Sequence, residues 1–91
     1  MADIIRCASA GTMESSDAYV EIEPGNNGVE IRLESVVKGQ FGSSIEAVVR
    51  QVIAQCGVEN AKVSVVDRGA LECVLRARVE TAVLRGRSDN A

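Results

Sequence analysis

Two short runs of this chain alternate apolar and polar residues with period two. Tyr19-Val20-Glu21-Ile22-Glu23 places Val20 and Ile22 on one face. Val29-Glu30-Ile31-Arg32-Leu33-Glu34 does the same with Val29, Ile31 and Leu33. Between them Pro24-Gly25-Asn26-Asn27-Gly28 is turn chemistry, since Gly and Asn tolerate positive φ and Pro presets the entry. The two runs are therefore expected to pair as an antiparallel hairpin with one wet face. Ala61 to Val66 reads as a third strand, with Val63 and Val65 inward and Lys62 and Ser64 outward.

The period then changes to that of a helix. Ile45, Val48, Val49, Val52, Ile53 and Cys56 recur along one stripe, with Glu46, Arg50 and Ala54 opposite. Ser43-Ser44-Ile45-Glu46 fits a capping box, in which the Ser43 hydroxyl and the Glu46 carboxylate satisfy free amides at a helix start. Gly39 and Gly42 fit a loop ahead of it, and Gly57 suits the position just past its end. After a turn at Asp67-Arg68-Gly69, a second helix is expected from about Ala70 to Leu84, followed by a frayed tail over 86–91.

The order β-β-α-β-α with one-sided alternation predicts an α+β fold: a two-layer sandwich, with a three-stranded, mainly antiparallel sheet and two helices on one face. A crossover through the first helix sets the third strand parallel to the second, and the first strand is expected in the middle. The second helix carries two apolar stripes, one through Leu71, Val74, Leu75 and Ala82, the other through Ala70, Cys73, Ala77 and Leu84. Arg78 and Arg85 lie between them. Arg78 is expected to snorkel or to pair with an acid such as Asp67, or else to orient a partner subunit on the second stripe. Glu72, Arg76 and Glu80 read as a stabilising surface ladder.

Ninety-one residues with 46% apolar content suit one domain, 1–91, with a core of Val, Ile, Leu and Ala because aromatics are only 2%. A net charge of -3 with one Tyr and one Phe argues against nucleic acid, which would need a basic footprint or stacking rings. No run approaches the ~18 apolar residues of a membrane span, and Asp3 and Arg6 interrupt the first apolar segment. Cys7, Cys56 and Cys73 fit neither a disulfide framework nor a zinc pattern, so no metal is expected and the compartment is read as reducing cytoplasm.

Candidate chemistry concentrates in one place. Gly11-Thr12-Met13-Glu14-Ser15-Ser16-Asp17 fits neither period and sets two adjacent hydroxyls between acids. Residues 1–17 are taken as a mobile lead-in that presents a serine to a modifying enzyme. Sequence chemistry does not separate Ser15 from Ser16. Glu14 and Asp17 read as a solvated loop or strand cap, or as recognition marks for that enzyme. Histidine is absent, which removes the commonest acid–base catalyst and leaves the three thiols without an activating imidazole.

This segment resembles the attachment region of the citrate lyase acyl carrier protein, the gamma chain of that enzyme. Two further stretches, Ser35 to Gly42 and Asp67 to Glu80, are similar to the same family in order and separation, so the resemblance covers almost the whole chain. It implies a non-catalytic carrier subunit in which Ser15 bears phosphoribosyl-dephospho-coenzyme A through a phosphodiester. The thiol of that arm would hold acetyl and citryl groups. It further implies citrate lyase alpha and beta subunits as partners, the first exchanging acetyl for citryl and the second cleaving the citryl thioester to oxaloacetate and acetyl thioester, with a transferase that installs the arm. Glu14, Ser16 and Asp17 would then be flanking recognition residues. A phosphodiester beside two carboxylates should repel them, so the arm is expected to extend into solvent.

Three other readings remain at this stage. The malonate decarboxylase carrier uses a similar arm, but its serine-glycine-aspartate segment differs from Ser15-Ser16-Asp17. A phosphopantetheine carrier could use Glu34-Ser35-Val36, but such carriers are helical bundles and three strands are expected here. A non-catalytic adaptor without a prosthetic group would use the two-striped helix alone.

Overall fold

The computed structural model describes residues 4–35 and 38–87. Its elements are β1 (Ala8–Gly11), β2 (Ala18–Glu23), β3 (Val29–Ser35), α1 (Lys38–Gln55), β4 (Ala61–Asp67) and α2 (Glu72–Gly86). The strands form one sheet in the order β1-β2-β4-β3. β2 is antiparallel to β1 and to β4, whereas β3 runs parallel to β4. The α+β class and the two layers are as expected; the sheet is four-stranded and mixed rather than three-stranded and mainly antiparallel.

The alternation in the strands sets the core. Ala10, Val20, Ile22, Val63 and Val65 are buried on one sheet face, and Val49, Val52 and Ile53 of α1 with Leu75, Val79, Ala82 and Val83 of α2 close over them. Glu21, Glu23, Glu30, Arg32 and Lys62 occupy the opposite face and are exposed. Val29, Ile31 and Leu33 face the core but are only half-buried, as befits an edge strand.

Two sheet expectations need correction. β1 gives no hydrophobic signal, because Ala8, Ser9, Ala10 and Gly11 are small; its place comes from the register Ala8↔Ile22 to Gly11↔Tyr19 against β2. The expected hairpin between β2 and β3 does not form either, and the middle position next to both belongs to β4. Two strand spacings separate β2 from β3, about 9–10 Å, which a five-residue connection spans and a tight two-residue turn does not. That connection wraps the start of β4. The Ala61 N–H donates to the Gly28 carbonyl at 3.1 Å, and Gly28 N–H donates to Asn60 Oδ1 at 2.9 Å. β4 fills that central slot, with Ala61, Val63 and Val65 all at 0–1% exposure.

α1 begins at Lys38, so Gly39, Gly42 and Ser43 lie within the helix and the expected capping box is not its start. No proline interrupts 38–43, and two internal glycines cost only ~1 kcal/mol each against alanine, so propensity alone does not hold the start at Ser43. Glu46 instead pairs with Arg50, Nε to Oε2 at 3.0 Å. The other end follows the expected chemistry. Gly57 has φ 78, its N–H donates to Ala54 O, and Val58 N–H reaches Ile53 O, the paired bonds of a Schellman cap. α2 continues to Gly86, which is buried and whose carbonyl accepts the Ile5 and Arg6 amides at 2.9 and 3.0 Å. Residues 88–91 of the expected tail, and Val36 and Val37 of the second family-like stretch, lie outside the described residues.

Candidate functional site

Residues 12–17 connect β1 to β2 at the end of the sheet where β4 leaves for α2. Gly11 makes the connection possible. Its φ is +95, and a Cβ there would stand 1.8 Å from the Ala18 carbonyl oxygen and 3.2 Å from Arg78 Cδ. Only a residue without a side chain lets the strand end, the Ala18 carbonyl and the Arg78 stem converge.

The connection itself is held from several sides. Asp17 N–H donates to Glu14 O at 3.1 Å, closing a β-turn with Ser15 and Ser16 at its two corners. Ser16 N–H donates to Arg68 O at 2.8 Å, and Arg68 N–H returns to Asp17 O at 2.9 Å, so the turn is stitched to the β4–α2 segment. Ser16 has φ 67, the only positive value among described non-glycine residues and one usually given to glycine at this corner.

Asp17 is the hub. Arg78 on α2 donates through Nε to Oδ1 at 2.9 Å and through Nη2 to Oδ2 at 3.0 Å, a two-pronged contact. Thr12 Oγ1 donates to Oδ2 at 2.7 Å, and the Ala18 N–H donates to Oδ1 at 2.7 Å. Thr12 Oγ1 also accepts the Glu14 N–H at 3.2 Å. The Arg78 hydrogen bonds first, then those of Thr12 and Ala18, hold the Asp17 carboxyl well below the usual carboxylate range against the opposing pull of burial.

Ser15 and Ser16 are both exposed, as is Glu14. The Ser15 hydroxyl makes no hydrogen bond among the described residues. It occupies the leading corner of the turn, while Ser16 is the corner whose backbone is tied to Arg68. Arg68 is exposed, and its guanidinium has no ion pair among the described residues.

The structure thus brings Glu14, Ser15, Ser16 and Asp17 together and separates their roles. Asp17 faces inward as a clamp, half-buried, while Ser15 faces solvent. Arg78 pairs with Asp17 and not with Asp67. Asp67 is buried and accepts instead from the Ser35 hydroxyl at 2.9 Å and the Ala70 N–H at 3.0 Å. Sequence reasoning did not find the Arg78–Asp17 pair, since 61 positions separate the two and no periodicity links them. It did find the ladder contact of Arg76 with Glu72, at 2.9 Å. On α2, Cys73, Ala77 and Leu84 of the second apolar stripe are exposed.

Comparison with known proteins supplies the family. A citrate lyase acyl carrier protein 2 of Salmonella typhimurium is 58% identical over 83 residues, 90% of this chain and 86% of that one. The chain belongs to the citrate lyase acyl carrier family. Other members are carriers from Escherichia fergusonii, 56% identical over 91% of this chain and 87% of its own, and Lactococcus lactis, 53% identical over 91% and 86%. Residues 5–86 also match the broader acyl carrier family described as malonate decarboxylase delta subunit. A chain in the crystal structure of a Pseudomonas malonate decarboxylase hetero-tetramer in complex with malonate shares the fold. Its TM-score is 0.76 at 22% identity, covering 93% of this chain and 91% of that one. The fold is therefore shared with a chain of that malonate decarboxylase assembly, and the citrate lyase carriers named above are relatives at 53–58% identity.

Proposed function

We propose that this chain is the acyl carrier subunit of a citrate lyase, with Ser15 as the residue that bears a phosphoribosyl-dephospho-coenzyme A arm through a phosphodiester. The observation that supports Ser15 over its equally exposed neighbour is its place at the leading corner of the turn, whereas the Ser16 backbone is held at φ 67 and tied to Arg68 O. The relatives supply the complex in which it works. When bound, the arm supplies a thiol on which acetyl and citryl groups are held.

The chain's own part is mechanical. Ser15 fixes the origin of the arm, Asp17 and Arg78 hold the turn that carries Ser15, and the helical layer keeps the base rigid. Tethering makes successive encounters with the alpha and beta subunits intramolecular, at an effective concentration that reaches the millimolar range for short links. Glu14 projects one uncompensated carboxylate beside the attachment oxygen, which favours an arm directed away from the loop. Asp17 adds little to that repulsion because Arg78 neutralises it. We place this work in the cytoplasm; no helix among the described residues is long and apolar enough to cross a membrane.

Intact mass of protein from its native host tests the reading. One large adduct is expected, mapping to the 7–32 peptide and lost in Ser15→Ala. An adduct that persists in that variant and maps to Ser16 would overturn the choice of residue, and unmodified native material would overturn the carrier reading. The family description and the shared fold favour malonate decarboxylase as the second reading. The partners that co-purify decide between them, by cleaving citrate or decarboxylating malonate.

A further inference from the structure

We infer that Asp17, Thr12 and Arg78 form a positioning clamp that selects Ser15 over Ser16 for modification and sets the rate at which Ser15 is loaded. The inference rests on the carrier reading above and deepens the part that it gives to Asp17 and Arg78. Two hydroxyls lie side by side and both are exposed, so accessibility does not distinguish them. The backbone does. The Ser16 amide is committed to Arg68 O at 2.8 Å with φ held at 67, and the Asp17 amide closes the turn onto Glu14 O. Ser15 alone is left at the free corner.

That arrangement depends on Asp17. Its carboxylate gathers four donors: two from Arg78, one from Thr12 and one from Ala18. These donors come from the loop's own start, from β2 and from a helix 61 residues away, so the carboxylate fixes the loop to the layer beneath it. Thr12 passes the constraint on, since its hydroxyl donates to Asp17 and accepts from Glu14 N–H. Without the clamp, a serine at positive φ has every reason to relax to an ordinary backbone conformation. The turn would then reopen and the two hydroxyls would become equivalent.

The chemistry that needs this selection is a phosphoryl-type transfer. The Ser15 Oγ attacks an activated phosphorus of a polyphosphate-bearing precursor of the arm. The Oγ–P bond forms as the P–O bond to the leaving phosphate chain breaks, the electron pair departs with that chain, and the Oγ proton passes to a base on the transferase. In-line attack tolerates little error in the nucleophile's place, and a misplacement of about 1 Å costs on the order of 100-fold in rate.

The test compares Arg78→Gln, Arg78→Lys and Thr12→Val with wild type in the presence of the host transferase. Arg85→Gln serves as control, since Arg85 reaches the Ser9 carbonyl outside the loop. Intact mass gives the loading kinetics, peptide mapping gives the residue loaded, and amide exchange on unloaded protein reports the Ser16 and Asp17 N–H groups. Arg78→Gln is expected to lose protection at both amides and to load on the order of 10- to 100-fold more slowly at saturating precursor, with part of the adduct moved to Ser16. Arg78→Lys, which keeps charge without the fork, should fall between, Thr12→Val should shift in the same direction, and Arg85→Gln should match wild type.

Wild-type loading rate and sole use of Ser15 in Arg78→Gln, despite lost amide protection, overturns the clamp's role while leaving the carrier reading intact. Retained protection in that variant overturns the clamp itself. Should Arg78→Gln fail to fold, Thr12→Val and Arg78→Lys decide by the same readouts. Wild type that takes up no arm at all sinks the carrier reading instead, wild type that loads only at Ser16 sinks the choice of residue, and the exchange data still judge the clamp.

Discussion

Replacing Gly11 by alanine tests whether the loop is built by close approach. Gly11 and Gly28 both have positive φ, 95 and 81, so alanine at either meets the same backbone penalty, roughly 1–2 kcal/mol. They differ in what surrounds them. An alanine Cβ at position 28 meets nothing within 4 Å, whereas at position 11 it lies 1.8 Å from the Ala18 carbonyl oxygen. Reaching 3.0 Å from 1.8 Å takes a movement of about 1.2 Å, and because the opposing atom is backbone, one strand must yield. The yielding pair is Gly11↔Tyr19, the last of the β1–β2 register. Losing one or two of its hydrogen bonds adds about 0.5–1.5 kcal/mol each, so Gly11→Ala should cost roughly 1.5–5 kcal/mol and Gly28→Ala about 1–2. A domain of this size has about 5–14 kcal/mol in all, and each kcal/mol shifts the melting temperature by roughly 4–8 °C. Thermal melts followed by far-UV circular dichroism should separate the variants by several degrees, with Gly11→Ala the lower. Equal melting temperatures would show that the strand end accommodates a methyl without displacement, and the close-approach argument would fail.

Two further outcomes follow from the charges and thiols. Asp17 has its carboxyl pKa depressed in the folded state, so its contribution is fully present above its unfolded value near 3.8 and is lost as pH falls towards the depressed folded one. Protection of the Ser16 and Asp17 amides, corrected for intrinsic exchange, should hold from pH 7 to about 4 and decline only below that; a decline centred between pH 5 and 6 would contradict the clamp. Burial pushes the Cys56 thiol up, with Arg87 opposing and Glu80 assisting, and Cys56 is the one thiol of the three that is not exposed. Alkylation of native protein at pH 8, read by peptide mass, should therefore leave Cys56 several-fold slower than Cys7 or Cys73, and equal rates would mean that the α1 terminus opens freely.

Legibility of the fold in the sequence followed side-chain size. β2, β3 and β4 announced themselves because valine and isoleucine alternate with charge, and the structure bounds each within a residue of that pattern. β1 did not, since alanine, serine and glycine carry no amphipathic contrast. The end of α1 was readable at Gly57 because a left-handed residue is a local demand. Its start was not, because Ser43–Glu46 fits a cap as well as it fits a helix interior. Strand order failed for a different reason. Turn residues at 24–28 state that the chain reverses, but not that β4 will later insert beside β2, which is settled by burial of Ala61, Val63 and Val65. At the site, the family resemblance pointed to Ser15, and Asp17 was noted for its charge. Its partner Arg78 is expected from the sequence to snorkel, to pair with an acid such as Asp67, or to orient a partner subunit; nearness along the chain suggests Asp67 as the acid, and only the packed helix brings Asp17 to 2.9 Å.

The ordered turn alters how the carrier works. A lead-in without fixed contacts would add its own freedom to that of the arm, and the acyl end would then be spread through a larger volume. If Ser15 bears the arm as proposed, its place on a turn tied to α2 and to the β4–α2 segment fixes the origin of the arm relative to the rest of the domain. Effective concentration depends on how closely the tether's span matches the distance to the target, and it falls as excess length accumulates. Residues 12–17, ordered, contribute no such excess. The entropy of holding them is met at folding by Asp17 and its four donors, not at each docking event. On the proposed reading, rigidity at the anchor and freedom in the arm are complementary parts of one device, and the aspartate two positions after the serine is where the first of them resides.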